Sequence, residues 1–306
     1  MSETQDPGDE DARHSAAEIE AFAARPGRIA PGLHLVSTPI GAARDITLRA
    51  LDVFAGADVL AAEDTRTLRR LMEIHGIAVK GRPLIAYHDH NGAQVRPRIM
   101  ALLAEGKSVA YASEAGTPLV ADPGFQLARA AIAEGHAVLA APGASAVLTA
   151  LTVGGLPTDR FCFLGFPPSQ GAARKSWIDE VSAIPATLVL YESPKRIHRL
   201  LGELGEKGER EVALCRELTK RFEEVIRGTL SEVTAAIAGR DLKGEIVLLL
   251  GRVEAPDKAL DLDAALTAAM QGSSLREAVE AVTEATGLPR RQVYQRALAM
   301  TKGGGD

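Results

Sequence analysis

The chain predicts an α/β protein of two domains followed by a helical tail. Three observations carry that prediction. From residue 33 to about 140, short apolar runs alternate with helical runs, the pattern of a largely parallel sheet covered by helices. The alternation is interrupted between Pro142-Gly143 and Pro157, where a second unit begins. Beyond residue 254, two helical patterns flank Gly287-Leu288-Pro289, which fits a helix-turn-helix. The predicted units are an acidic, disordered segment 1–29, an N-terminal α/β domain 30–145, a C-terminal α/β domain 146–253, and a linker with helix-turn-helix tail 254–306.

Residues 1–28 are rich in Asp, Glu and Ala and broken by Pro7, Gly8, Pro26 and Gly27, so they read as disordered, with room for a short helix over 16–24. Leu33–Val36 is the first strand. Helix 47–55, strand 58–62, helix 67–75, strand 84–87, helix 94–105, strand 108–112, helix 125–134 and strand 137–140 follow. A helix of small residues, 145–153, leads into the second unit. That unit has strand 160–164, helix 173–182, strand 187–191, helix 193–204, strand 211–215, a polar stretch 216–224 and a closing strand 245–251. Residues 254–265 read as a linker. The tail helices are 274–286, with a capping box at Ser274 and Glu277, and 290–301, which carries Arg290, Arg291 and Arg296. A packing hairpin with a solvated basic face fits the same residues.

Composition narrows the function classes. No apolar run approaches the ~18 residues of a membrane span. The polar start lacks the apolar core of a secretory signal. Cys162 and Cys215 each lie in an apolar run and read as buried thiols of a cytoplasmic protein. The net charge of −5 is concentrated at the ends: residues 1–30 hold seven acids and three bases, and 254–306 hold eight acids and six bases. The body between is near neutral, which leaves nucleic-acid substrates open.

The most informative stretch is Ser113-Glu114-Ala115-Gly116-Thr117-Pro118, continued by Ala121-Asp122-Pro123-Gly124. It follows an apolar strand, and ligands in open α/β sheets bind at the carboxyl ends of strands. Ser37-Thr38-Pro39-Ile40-Gly41 is a second small-residue loop on the same predicted edge. Neither loop contains a lysine, and no phosphate loop or GxGxxG fingerprint is present. A neutral-to-cationic nucleoside-like cofactor fits this chemistry, and S-adenosylmethionine is such a molecule. Glu114 would meet its positive charge.

Polar groups for a hydroxyl substrate are Glu63, Asp64 and Arg66 after the second strand, and His90 and Asn91 after the third. Asp64 has an alternative role as a helix cap. The His88-Asp89-His90 spacing reads as a pair of histidines facing substrate or already bonded, with metal ligation the weaker reading. In the second unit Lys195, Arg196 and Arg216 would suit a phosphate backbone, with Glu217 beside them. Gly244, Glu245 and Ile246 open the last strand, where backbone amides approach a ligand.

Together these segments resemble the ribosomal RNA small subunit methyltransferase I family of the tetrapyrrole methylase superfamily. The likeness rests on Ser-Thr-Pro-Ile-Gly (37–41), Ala-Ala-Glu-Asp-Thr-Arg (61–66), His-Asp-His-Asn (88–91), Ser-Glu-Ala-Gly-Thr-Pro (113–118), Pro-Gly-Ala-Ser-Ala (142–146), Gly-Leu-Pro-Thr-Asp-Arg-Phe (155–161), Tyr-Glu-Ser-Pro-Lys-Arg (191–196) and Arg-Glu-Leu-Thr-Lys (216–220). It implies two α/β domains with an S-adenosylmethionine cleft between them, a homodimer, and a bacterial cytoplasmic setting. It also implies 2′-O-methylation of a decoding-centre cytidine (1402 in rRNA numbering) of 16S rRNA in the 30S subunit.

On that likeness the cofactor residues are Pro39, Ile40, Ser113, Glu114, Ala115, Gly116, Thr117, Ala121, Gly244, Glu245 and Ile246. Glu63, His90 and Asn91 are the catalytic candidates. Asp64, Arg66, Lys195, Arg196, Arg216 and Glu217 are the RNA candidates. No metal is expected. Three positions depart from the family pattern: Ala42 replaces Asn, Glu114 replaces Asp, and Ala144 stands where Pro is frequent. The alternatives are a methylase acting on a tetrapyrrole and a ribosome-assembly factor that binds RNA without catalysis.

Overall fold

The computed structural model describes residues 27–252, 262–286 and 288–302. The expectations for residues 1–26 and for 254–261 of the linker lie outside the described residues.

Strands β1 (Gly32–Val36), β2 (Val59–Ala62), β3 (Leu84–Ala86), β4 (Ser108–Ala112) and β5 (Val138–Ala141) form a sheet in the order β3-β2-β4-β1-β5. Every pairing in it is parallel. Side chains alternate across the sheet, as a strand's two-residue period dictates. Val36, Leu60, Ala62, Ala110 and Ala112 pack against α1 (Leu48–Gly56) and α2 (Thr65–Ile74) through Phe54, Leu68 and Met72. Leu33, Val59, Ala61, Val109 and Tyr111 pack against α3 (Gly92–Ala104) and α4 (Phe125–Ala133) through Ile99, Leu103 and Leu127. All positions of β2 and β4 are buried, as double coverage requires. Because the strands share one direction, their carboxyl ends and the loops that follow share one edge.

Helix α5 (Ala146–Gly154) leaves this sheet and lies on the second. Its N-cap is Ser145, whose side chain accepts the Leu148 N–H. The second sheet has the order β6-β7-β10-β8-β9, from β6 (Phe161–Gly165), β7 (Thr187–Glu192), β8 (Glu211–Arg216), β9 (Glu224–Thr229) and β10 (Ile246–Leu250). Only β6 and β7 are parallel. β10 runs antiparallel to β7 and β8, and β8 antiparallel to β9. The largely parallel, covered sheet expected of the first unit is present, whereas the sheet of the second unit is mixed. The reason is local: the short 217–223 connection folds β8 and β9 into a hairpin, and a parallel pair would need a far longer crossover.

Helices α6 (Gly171–Ser182), α7 (Ile197–Gly205) and α8 (Leu230–Ile237) cover one face of the second sheet. On the other face α5 packs together with Ile40 from the first sheet's β1 loop, so the two sheets share a core cluster. The sequence reading omitted β9 and α8. β9 is an edge strand with no fully buried position, so its apolar alternation is weak. α8 had a legible signal, the reciprocal capping box of Thr229 and Glu232.

The tail comprises α9 (Leu262–Met270), α10 (Leu275–Thr286) and α11 (Arg290–Lys302) around a core of Leu266, Val279, Val282, Val293 and Ala297. Residues 262–265, read as linker, are instead the first turn of α9. They are ordered because Leu266 is buried and Asp263 pairs with Arg296 of α11. The Ser274–Glu277 capping box forms in both directions.

Candidate functional site

The β1 and β4 loops are fastened to each other before they meet any ligand. Thr38 and Gly116 exchange backbone hydrogen bonds of 3.0 and 3.1 Å, and Thr38 Oγ1 donates to the Ser113 carbonyl at 3.3 Å. Ser113 Oγ donates to the Gly116 carbonyl at 2.6 Å and closes the turn. Gly116 sits at φ +80°, and a Cβ there would press on Ile40, so glycine alone fits both constraints. Thr117 Oγ1 reaches across to the Ala144 carbonyl at 3.0 Å, which ties in the loop after β5.

The next turn holds two non-glycine residues in left-handed backbone, Leu119 at φ 71° and Ala121 at φ 55°. Such backbone costs on the order of 1–3 kcal/mol per residue and persists only when its surroundings fix it. Asp122 does the fixing. Its Oδ1 accepts the Tyr111 hydroxyl at 2.9 Å, the Gly124 N–H at 2.7 Å and the Leu119 N–H at 3.3 Å. Its Oδ2 is buried and without a protein partner.

The second sheet supplies the opposite wall. Glu217 (φ 51°) and Thr219 (φ 63°) again occupy left-handed backbone. Glu217 Oε1 accepts the Lys220 ammonium at 2.8 Å and the Glu245 N–H at 3.0 Å. Lys220 also reaches Glu245 at 2.8 Å. A side chain at Gly244 would overlap the Glu217 carboxylate. Tyr191 stands beside this wall, with the rings of Phe163 and Phe166 edge-on at 4.9 and 5.5 Å.

Between the walls is a cleft of about 670 Å³. Among the predicted residues, Pro39, Ile40, Glu63, Glu114, Ala115, Gly116, Thr117, Ala121, Gly244, Glu245 and Ile246 line it. Ser113 does not: it is buried beneath the loop that it closes. Asn91 spends its side chain on the His88 N–H and the Ala86 carbonyl, holding the turn into α3. His90 is exposed, its ring 6.0 Å from that of His88, and it does not line the cleft. Asp64 caps α2 and binds Arg66 at 2.8 Å, which draws its carboxyl down to about 2, and Arg66 is otherwise exposed. Arg196 Nε is bound to Glu192 at 2.7 Å and Arg216 Nε to Glu224 at 2.9 Å, while Lys195 is exposed. Glu217 supports the wall through Lys220 and Glu245.

Lining residues that sequence reasoning did not select include Asp122, Phe166, Tyr191, Glu192 and Lys220. Asp122 stood inside a motif already singled out. For Phe166 and Tyr191 nothing local marks which ring faces a gap.

The cleft favours a cation. Glu63, Glu114 and Asp122 converge on its first wall, and Lys220 on the other is neutralised by Glu217 and Glu245. The Glu63 carboxyl is pushed above its ordinary value, first by burial and then by Asp122, Glu114 and Asp89. Among the described residues no group of three or more His, Cys, Asp or Glu could hold a metal ion. No described helix is long and apolar enough to cross a membrane.

A parallel sheet and a mixed sheet joined at a loop-lined cleft are the architecture of a tetrapyrrole methylase. The family model described as Tetrapyrrole (Corrin/Porphyrin) Methylases matches residues 32–234, and one described as RsmI C-terminal HTH domain matches 256–301. The solved methyltransferase CobJ shares the fold at a TM-score of 0.56 and 19% identity, over 73% of this chain and 95% of that one. A uroporphyrin-III C-methyl transferase from Thermus thermophilus, solved with S-adenyl homocysteine, does so at a TM-score of 0.50 and 18% identity, over 74% and 97%. A ribosomal RNA small subunit methyltransferase I from Mesorhizobium japonicum is 44% identical over 289 residues, 92% of this chain and 97% of that protein. The chain belongs to the ribosomal RNA small subunit methyltransferase I family.

Proposed function

We propose that the chain transfers a methyl group from S-adenosylmethionine to the ribose 2′-oxygen of a decoding-centre cytidine in 16S rRNA, acting in the cytoplasm as a homodimer on the 30S subunit. The observation that carries the reading is the pairing, in one cleft, of lysine-free loops with three acids on the same wall. Such a wall attracts a cationic nucleoside and repels a bare phosphate. Extensive identity to a protein named for rRNA of the small subunit supports the RNA substrate. S-adenyl homocysteine in a protein of the same fold supports the cofactor class.

The residues present fit that cofactor. The orphaned Asp122 Oδ2 is an acceptor awaiting a donor, and Ala115 and Gly116 leave the backbone open to close approach. Pro39, Ile40, Glu114, Ala115, Gly116, Thr117 and Ala121 would hold it from one side and Gly244, Glu245 and Ile246 from the other. When bound, it supplies an electrophilic methyl carbon on a good leaving group.

The protein's part is placement and proton removal. Holding the ribose hydroxyl in line is worth ~7–11 kcal/mol. Glu63, made more basic by burial and by its acidic neighbours, takes the hydroxyl proton, a contribution of ~10²–10⁴-fold. His90 and Asn91 lie away from the cleft lining, and we assign them no proton transfer. Lys195, Arg196 and Arg216 offer positive charge to the RNA backbone. Ala42 contributes only its N–H, which the structure uses between loops.

Tritium transfer from labelled S-adenosylmethionine to unmodified 30S subunits, with calorimetry of cofactor binding, tests the reading. Transfer to the subunits supports it. Cofactor binding without RNA transfer favours a tetrapyrrole substrate, and absence of cofactor binding favours a non-catalytic RNA-binding factor. Sedimentation tests the homodimer.

A further inference from the structure

Phe166 is 56% exposed, although it lies on the cleft beside the Tyr191 ring. Apolar surface grouped in a groove marks a ligand-binding surface, and here the Phe166 and Tyr191 rings line the cleft side by side. Local structure presents Phe166 deliberately. The β6–β7 register shifts between Phe163 and Gly165, and such a bulge re-aims the residues after it. Gly165 then turns at φ +65°, Pro167 is buried, and Pro168 is only partly exposed. The Tyr191 ring meets the Phe166 ring in a T-shaped arrangement, with centroids 5.5 Å apart.

The loop is also anchored from below. Arg174, 1% exposed, donates to the Pro168 carbonyl at 2.8 Å and binds Glu203 at 2.6 Å. The same guanidinium lies 3.8 Å from Glu192, whose other oxygen holds Arg196 at 2.7 Å. β6 and β7 are parallel, so the Phe166 loop and the Ser193–Arg196 turn leave the sheet at one edge. Arg174 and Glu192 thus hold an exposed aromatic ring and a basic pair, Lys195 and Arg196, in fixed relation.

We propose that Phe166 is the platform on which the target nucleobase stacks once it has left its RNA helix, with Lys195 and Arg196 receiving the adjoining phosphates. The inference rests on the RNA-methylation reading given above. A nucleotide that enters the cleft so that its 2′-oxygen lies in line with the methyl donor leaves its stacked neighbours, and an aromatic face compensates the stacking it loses. The ring belongs to the substrate side of the cleft. It follows β6, the outer strand of the sheet, whereas the Gly244–Ile246 wall precedes the central strand β10.

Full-length Phe166→Ala, Phe166→Leu and Phe166→Trp variants decide the matter, with thermal melts to confirm folding. Three quantities are measured: affinity for unmodified 30S subunits, KM for the same subunits, and cofactor affinity by calorimetry. The alanine variant is expected to weaken subunit binding and raise KM about 10- to 100-fold, leaving cofactor affinity within twofold. Tryptophan should restore wild-type values and leucine should not, because leucine keeps bulk but has no π-face. The proposal is overturned if alanine changes subunit affinity less than twofold, if cofactor affinity falls in step, or if leucine rescues as well as tryptophan. Should the alanine variant fail to fold, the leucine–tryptophan pair decides. A wild-type enzyme that labels no RNA would refute the underlying reading before any variant is compared.

Discussion

The Ala42 N–H donates to Thr219 Oγ1 at 3.2 Å, so the loop after β1 is fastened to the loop after β8. Gly41, one residue earlier, leaves no space: a Cβ there would stand 2.5 Å from Thr219 Oγ1 and 2.6 Å from Lys220 Cγ. Gly41→Ala is therefore expected to push the two walls apart. Overpacking of this kind costs ~1–3 kcal/mol, read by urea denaturation, and cofactor affinity should fall with it. An unchanged affinity would mean that the loops are not held by this contact.

Glu63 gives a pH signature. Its folded value is raised above 4.5, so the fold binds its proton more tightly than the unfolded chain does. That contribution to stability is complete below 4.5 and is lost as pH rises through the raised value. Glu63→Gln should thus melt higher than wild type near pH 8, and the gap should close as pH falls toward 4.5. Its single-turnover rate on 30S subunits should drop ~10²–10⁴-fold. A wild-type rate would remove Glu63 as the base.

Asp122 collects three donors, and Tyr111, one of them, is fully buried. Asp122→Ala would orphan the Tyr111 hydroxyl and release the left-handed turn at Leu119 and Ala121. The expected loss is ~1–3 kcal/mol in urea, with weaker cofactor binding by calorimetry. Tyr111→Phe removes one donor only, and ~0.5–1.5 kcal/mol is expected. If both variants bind cofactor like wild type, the turn does not shape the pocket.

Arg174 is the largest fully buried side chain, facing Glu192 and Glu203. Arg174→Met should destabilise by ~1–3 kcal/mol, since it leaves buried Glu192 with Arg196 as its remaining cation and takes the donor from the Pro168 carbonyl. Adding Glu192→Gln to that variant should recover part of the loss in the same denaturation assay. A double variant no more stable than the single one would show that the charge of Glu192 is not what suffers.

In the tail, Arg296 is committed to Asp263, whereas Arg290 and Arg291 are exposed at the start of α11. If these two grip phosphate, replacing each with alanine should lower the slope of log affinity against log salt by about 1 for 30S binding. Arg296→Ala should instead lower the tail's stability. An unchanged slope in the Arg290/Arg291 double variant would place the RNA contacts elsewhere.

How much of this was legible beforehand depended on whether a position's role was local. Gly116, Thr117 and Ile40 could be read because a parallel sheet sends its loops to one edge, and small residues after a strand mark that edge. The tail's capping box was equally local. Asn91 and Ser113 misled for a complementary reason: polar residues near a strand end serve a loop's own hydrogen bonds as readily as a ligand's. Phe166, Lys220 and the antiparallel pairing of β10 depend on contacts between residues distant in the chain. No window of neighbouring residues contains that information.

The position of β10 has a consequence for biosynthesis. It is the last strand of the second sheet to be translated, yet it lies at the centre, pairing with both β7 and β8. Until residue 250 has left the ribosome, β6–β7 and β8–β9 are separate ribbons with unpaired edges, the sort of surface that aggregates. A nascent chain stalled or cut before Ile246 thus lacks the strand that joins its halves, and the wall of Gly244, Glu245 and Ile246 is among the last parts of the cleft to be made.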